Sequence, residues 1–151
     1  MDVYAKLKEL NITLPELHPP RGIYKPARQV GNCLYVSGQG PTKGDAILFT
    51  GKVGSERSIE EGQEAAKLCA LNALSILHHF LGDLNKVKGV IKTLGFVQSA
   101  DGFSQQPQVI NGASGLLMDI WGEDGLGVRS AIGTSELPSN ISVEIEFIFE
   151  V

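Results

Sequence analysis

Residues 58–82 (SIEEGQEAAKLCALNALSILHHFLG) restrict the possible folds of this chain more than any other segment. Ser58 and Glu61 match the capping box that begins a helix, and Gly82 suits the residue at which a helix ends. The apolar side chains of this predicted helix recur every three or four residues and comprise Ala66, Cys69, Ala70, Ala73, Leu74 and Leu77. Because so wide an apolar stripe must be covered, we expect the helix to pack against a broad surface such as the face of a β-sheet.

The end of the chain supplies one strand of such a sheet. Residues 142–151 (SVEIEFIFEV) alternate between apolar and mostly charged side chains, which is the pattern of a strand with one buried face. The first face carries Val143, Ile145, Phe147, Phe149 and Val151, and the second carries Glu144, Glu146, Ile148 and Glu150. Since the second face mixes glutamates with an isoleucine, we expect it not to be purely solvated.

Further strands and a second helix are predicted along the chain. The strands are NCLYVSGQGP with AILFTGKVG as its hairpin partner, VKGVIKTLGFVQSA, and VRSAIGTSEL, which a short loop joins to the last strand. The segment PQVINGASGLLMDIWGEDG predicts an amphipathic helix with Pro107 in its first turn. Its internal glycines, Gly112 and Gly115, each cost about 1 kcal/mol relative to alanine, so we expect a packing reason for them.

These elements predict an α+β domain in the order β-β-α-β-α-β-β, with two helices packed on one face of a mixed β-sheet. We expect this domain to cover residues 21–151. Residues 1–20 are predicted to form an N-terminal helical arm, because Val3, Leu7 and Leu10 lie at helical spacing before HPPRG interrupts the pattern. The face of the sheet without helices must be covered by something else or be wet.

The charge, the cysteines and the histidines of the chain argue against several classes of function. The chain has 151 residues and a net charge of −4, which disfavours nucleic-acid binding. Cys33 and Cys69 have no metal or redox spacing, and we expect free buried thiols. His78 and His79 diverge by about 100° on one helix and cannot chelate one metal ion, while His18 has no evident partner. No segment has the length of an apolar membrane span, so we expect a cytoplasmic protein.

Arg129 poses the sharpest question, because it stands at the start of an otherwise apolar strand. The short loop after this strand suggests that it pairs with the last strand, so that the guanidinium could meet Glu144 or Glu146 across strands. One interpretation is a surface charge or a structural ion pair. The other is a site for an anionic ligand.

Four segments resemble one known family. They are RGIYKPARQVGNCLYVSGQGP, the helix that begins SIEEGQEAAKLCALNAL, PQVINGASGLL, and VRSAIGTSELPSNISVEIE. Together they resemble the reactive intermediate deaminase family, also called YjgF-like or L-PSP endoribonuclease proteins, over roughly residues 20 to 151. The resemblance implies a fold similar to chorismate mutase and a homotrimer with a cleft at each subunit interface.

The resemblance also implies an activity, the hydrolysis of 2-imino and enamine acids to 2-keto acids and ammonia. Arg129 matches the family arginine that holds the substrate carboxylate, and Glu144 matches the carboxylate that orients or activates the attacking water. Tyr24 and Asn111 match polar positions that line the cleft. Ala131 stands where the deaminase-active subgroup usually has cysteine, at a position that contributes through its backbone. No metal and no organic cofactor is implied.

Two other functions stay open. The chain could be a non-catalytic binder of small carboxylates that keeps Arg129, or the endoribonuclease and translation inhibitor that the older family name records. The acidic net charge counts against the latter.

Overall fold

The computed structural model describes residues 1–151. The helices are α1 (Val3–Glu9), α2 (Ile59–Leu81) and α3 (Gln106–Trp121). The strands are β1 (Ala27–Val30), β2 (Cys33–Gln39), β3 (Thr42–Lys43), β4 (Ala46–Ile47), β5 (Gly89–Gln98), β6 (Val128–Thr134) and β7 (Val143–Glu150). Single turns of 3₁₀ helix lie at Leu84–Lys86, Gly122–Gly125 and Pro138–Asn140. No helix is both long enough and apolar enough to span a membrane.

The main sheet has five strands in the order β1-β2-β7-β5-β6. Only β5 and β6 run parallel, and every other neighbouring pair is antiparallel. Helices α2 and α3 pack against each other and against the sheet. The predicted α+β class and mixed sheet are therefore confirmed. Both predicted helices are also present, and α2 begins with the predicted capping box, in which Ser58 and Glu61 bond each other's backbone.

The predicted hairpin partner of β2 is wrong. The segment AILFTGKVG contributes only the two-residue strand β4, which pairs with β3 in a separate small sheet. The neighbours of β2 are β1, which precedes it, and β7. Gly31, with a φ of 59°, and Asn32 make the two-residue connection between β1 and β2. A glycine with positive φ at such a connection is typical of tight hairpins, so the sequence did carry this signal.

The expected pairing of the last two strands is also wrong. Strand β5 lies between β6 and β7: Arg129 of β6 is opposite Thr93 of β5, which is in turn opposite Phe147 of β7. Tight hairpins need about two to five residues, whereas residues 135–142 form a longer connection that contains a 3₁₀ turn. This connection is long enough to pass the end of β5.

The core lies between the helices and one face of the sheet. The alternation predicted for β7 is confirmed, since Val143, Ile145, Phe147 and Phe149 are all buried. A Cβ atom on Gly112 would overlap the backbone carbonyl of Gln63, so this glycine lets α3 approach α2 closely. No atom lies near the position that a Cβ atom on Gly115 would occupy, so the structure gives no packing reason for that glycine.

The N-terminal segment packs on the same core. Helix α1 buries Val3 and Leu7 in the core cluster, and the Tyr4 hydroxyl accepts a hydrogen bond from the backbone N–H of Leu84 at 2.8 Å. Residues 12–20 have no regular secondary structure and pass alongside α2. The domain boundary at residue 20 stays a prediction, but the segment before it is attached to the domain and not free.

Candidate functional site

The Arg129 side chain lies at the edge of the sheet and reaches α3. One guanidinium nitrogen, Nη1, donates to Asn111 Oδ1 at 2.8 Å and to Ser114 Oγ at 3.2 Å. The other, Nη2, donates to the carbonyl oxygen of Pro107 at 3.4 Å. Asn111 and Ser114 are three residues apart and therefore lie on the same face of α3. The helix thus holds the guanidinium with neutral acceptors only.

Arg129 has no acidic partner within the chain. The two salt bridges of the structure, Lys6–Glu9 and Arg57–Glu61, lie elsewhere. The interpretation of Arg129 as half of a structural ion pair with Glu144 or Glu146 is therefore wrong. Its three hydrogen bonds use three of the five N–H donors of a guanidinium, and the side chain remains exposed. Donors are left over for an anion.

Ala131 lies two residues after Arg129 on the same face of β6. It is opposite Gly95 of β5 and packs against the hydrophobic core. A methyl group in this position has no nucleophilic or acid–base chemistry. Any polar contribution of Ala131 must come from its backbone, as the resemblance implies.

Glu144 lies in a different place, a cleft of about 890 Å³. The walls of this cleft come from the segment before β1, from the end of β2 and the residues after it, from α2, and from the loop between β6 and β7. Tyr24 and Glu146 line the cleft together with Glu144. Asn111 does not line it and instead holds Arg129.

A bulge in β2 makes room for the Glu144 side chain. The register of β2 against β7 shifts between Val36 and Gln39, and Gly38 lies within this bulge. A Cβ atom on Gly38 would lie only 3.0 Å from the carboxyl carbon of Glu144. Bulges often direct a side chain beside a functional site, and here the missing side chain of Gly38 lets the carboxylate pack against the strand.

The environment of Glu144 raises its pKa above the ordinary value of a glutamate. Partial burial is the larger cause, because it disfavours the charged form, and the neighbouring Glu146 carboxylate adds repulsion. A raised pKa makes this carboxylate a stronger base than an ordinary glutamate, which suits general acid–base chemistry.

Several residues that line the cleft were not predicted from the sequence. His18 and His79 both line the cleft, although His18 had no evident partner in the sequence and His79 was considered only as a metal ligand together with His78. His18 Nε2 lies 3.4 Å from Thr42 Oγ1, and the buried Asn72 donates to Thr42 Oγ1 at 3.3 Å. Ser114 could have been found, because a residue three positions after Asn111 must share its helix face.

Arg129 and Glu144 lie on opposite faces of the sheet. Arg129 shares a face with Thr93 and Phe147, whereas Glu144 is opposite Phe96 on the other face. The structure therefore brings together Tyr24 with Glu144, and separately Arg129 with Asn111. The expected meeting of guanidinium and carboxylate across strands does not occur within one chain. We call these places the Arg129 half-site (Arg129, Asn111, Ser114) and the Glu144 half-site (Tyr24, Glu144, Glu146).

Comparisons with known proteins agree on one family and one fold. Residues 5–150 match the family described as "YjgF/chorismate_mutase-like, putative endoribonuclease". Protein TCP17 of Trypanosoma cruzi is 39% identical over 150 residues, covering 99% of this chain and 94% of its own. The crystal structure of Atu1372 from Agrobacterium tumefaciens is 45% identical with a TM-score of 0.90, covering 99% of this chain and 91% of its own. A "putative endoribonuclease" of Shewanella oneidensis is 28% identical, with a TM-score of 0.95 and full coverage of both chains. The predicted chorismate-mutase-like fold is confirmed.

Proposed function

Because the chain belongs to the YjgF/chorismate-mutase-like family, we propose that it hydrolyses 2-imino and enamine acids to 2-keto acids and ammonia in a cleft between two subunits. The observation that carries this proposal is the set of contacts that the Arg129 side chain makes. Its guanidinium is held by the neutral acceptors Asn111 and Ser114, is exposed, and has no carboxylate partner. A guanidinium fixed in this way is prepared for the carboxylate of a ligand.

The chemistry assigns one task to each half-site. A planar guanidinium can bind a carboxylate through two parallel hydrogen bonds, which fixes the orientation of the substrate as well as its position. Glu144, with its raised pKa, takes a proton from the attacking water and returns one to the departing nitrogen as ammonia leaves. Tyr24 contributes a hydroxyl to the same cleft.

Two subunits are needed because the half-sites of one chain lie on opposite faces of its sheet. The face that carries Glu144 also exposes apolar side chains, among them Tyr35, Val128 and Ile132. Exposed apolar patches of this kind mark contacts with other proteins, and most homo-oligomers are closed and symmetric. We therefore propose a homotrimer in which the Arg129 half-site of one subunit faces the Glu144 half-site of its neighbour.

The ribonuclease function in the family description is less well supported. The net charge of −4 repels a phosphate backbone unless basic residues are gathered into a patch. The Glu144 half-site is the reverse of such a patch, because two glutamates line it.

The proposal is tested by adding the protein to an amino-acid oxidase reaction and following the decay of the imino acid. We expect faster decay with the wild type and a loss of about a hundredfold in turnover for Glu144→Gln, the scale of a general acid–base residue. If Glu144→Gln keeps full activity, or if the wild type does not accelerate decay, the catalytic proposal is wrong. A protein that binds keto acids without accelerating decay is the non-catalytic binder.

Calorimetry with a small 2-keto acid separates binding from turnover. Arg129→Lys should weaken binding about tenfold or more, on the scale of about 1.5–3 kcal/mol for a charge-assisted hydrogen bond, while Glu144→Gln should spare it. Arg28→Lys, another exposed arginine on a strand, is the matched control and should bind as the wild type does. Equal affinity in the wild type and Arg129→Lys would show that Arg129 does not hold the ligand.

A further inference from the structure

The cleft of the Glu144 half-site is large for a small acid. At about 890 Å³ it lies near the upper end of the range of about 300–1,000 Å³ that accommodates drug-sized ligands. The carboxylate and the reacting carbon of a 2-imino acid need only the part near Glu144. The remaining volume is available for the side chain of the substrate.

Part of the lining of the cleft is apolar. Leu17, Pro19 and Pro20 form a wall from the segment between α1 and β1, and Ile76 and Phe80 of α2 line the same cleft. Leu17 and Phe80 are partly exposed, at 43% and 46%, so their apolar surface is available to a ligand. We call these five residues the apolar wall.

Hydrogen bonds to α2 hold the apolar wall in place. Ser75 Oγ donates to the carbonyl oxygen of Pro15 at 2.8 Å, just before the wall begins. His18 Nε2 is within 3.4 Å of Thr42 Oγ1, and the Asn72 side chain donates to the Thr42 carbonyl at 2.8 Å. The wall is therefore preformed, and a ligand that contacts it need not order the segment first.

The charges of the cleft disfavour an anionic side chain. Glu16, Glu144 and Glu146 line it, whereas Arg21 is its only arginine, and no lysine lines it. A second carboxylate on the substrate would lie among like charges. A bulky uncharged side chain would instead bury apolar surface against the wall.

We propose that the apolar wall is the side-chain subsite of the enzyme and selects 2-imino acids with large aliphatic or aromatic side chains. This inference rests on the proposed function and adds the class of substrate to it. The segment before β1, which contributes three of the five wall residues, would then determine specificity without touching the reacting atoms.

The test is calorimetry with three 2-keto acids of increasing size, namely pyruvate, 4-methyl-2-oxopentanoate and phenylpyruvate. The wild type should bind the two larger acids at least about tenfold more tightly than pyruvate, since one methylene in an apolar pocket is worth about tenfold or more. Leu17→Ser should weaken binding of the larger acids by about threefold to tenfold and leave pyruvate unchanged. Leu126→Ser is the matched control, because Leu126 is equally exposed at 43% and lies outside the cleft.

The possible results separate this inference from the proposed function. If all three acids bind equally, or if Leu17→Ser and Phe80→Ser both bind as the control does, the subsite is wrong and the carboxylate clamp still stands. If no 2-keto acid binds at all, the proposed function and the subsite both fail. Arg129→Lys should weaken all three acids by the same factor, which a loss at the subsite would not do.

Discussion

The two faces of the central sheet differ in what covers them. On one face, Val143, Ile145 and Phe147 are buried beneath α2 and α3, which the same chain supplies. On the other face, Tyr35 and Ile132 are about half exposed and no element of the chain covers them. Neighbouring residues of β7 therefore differ in their surroundings: one face is packed in the core, and the other carries Glu144 and is not covered by any element of the chain.

This difference makes substitutions one residue apart informative. A change on the helix-covered face should lower the stability of the single chain, because it disturbs close packing. A change on the uncovered face should affect assembly or the cleft and leave the folded chain nearly intact. If the two faces are independent, a substitution on one of them should leave the properties of the other unchanged.

The largest effect is expected at Phe147. Phe147→Ala removes a fully buried ring from the core and should lower the free energy of unfolding by about 3–5 kcal/mol. Ile148→Ala, one position along β7 on the other face, should cost less than about 1 kcal/mol in the monomeric chain. Urea denaturation at low protein concentration measures both. Equal losses would mean that the uncovered face also contributes to the stability of the single chain.

A charge on the uncovered face should break the proposed trimer. Ile132→Glu would place an unpaired carboxylate in the interface, at a cost of about 3 kcal/mol for each interface. Met118→Glu is the control, because Met118 of α3 has nearly the same exposure, 44% against 47%, but lies on the helix side. Light scattering at micromolar concentration should give a trimer for the wild type and the control, and a smaller mass for Ile132→Glu. A monomeric wild type would contradict the proposed trimer.

On the covered side, the two glycines of α3 should respond in opposite directions. Gly112→Ala should destabilise the chain by about 1–3 kcal/mol or more, because its methyl group would overlap the Gln63 carbonyl and push α2 and α3 apart. Gly115→Ala meets open space and should stabilise the helix by up to about 1 kcal/mol. Thermal unfolding of both variants checks this. A destabilising Gly115→Ala would reveal a partner for that face of α3.

The smallest effect is a dependence of stability on pH at Glu144. Because the folded protein raises the pKa of this carboxyl, the folded state favours its protonated form, and stability is lost as the pH rises through the raised pKa. Glu144→Gln removes this loss and should be slightly more stable than the wild type at pH 7. The difference should disappear below the ordinary pKa of a glutamate, about 4.3. A difference that persists at pH 3 would have another cause than titration.

Local patterns in the sequence were sufficient for much of the fold. The capping box at Ser58 and the apolar stripe after it predicted α2, and the alternation of β7 predicted its buried face correctly. These signals act between residues a few positions apart, so they can be read without knowing the neighbours in space. The errors concern strand partners: β4 was expected beside β2, and β6 beside β7.

The candidate site shows the same division. The sequence pointed to Arg129 and Glu144 as residues of interest, and their roles stay a prediction. It could not show that Asn111 holds Arg129, or that His79 lines the cleft with Glu144. Both arrangements bring together residues that lie on different elements of the fold.

The sequence by itself determined the helices, the alternation of β7 and the membership of a family, because these depend on short-range spacing and on residue types at fixed positions. Only the tertiary structure decided that β5 lies between β6 and β7. That insertion, together with the alternation of the strands, puts Arg129 and Glu144 on opposite faces. The physical reason is that strand order depends on which apolar faces pack together across the whole domain, and side chains two strands apart meet only if they share a face.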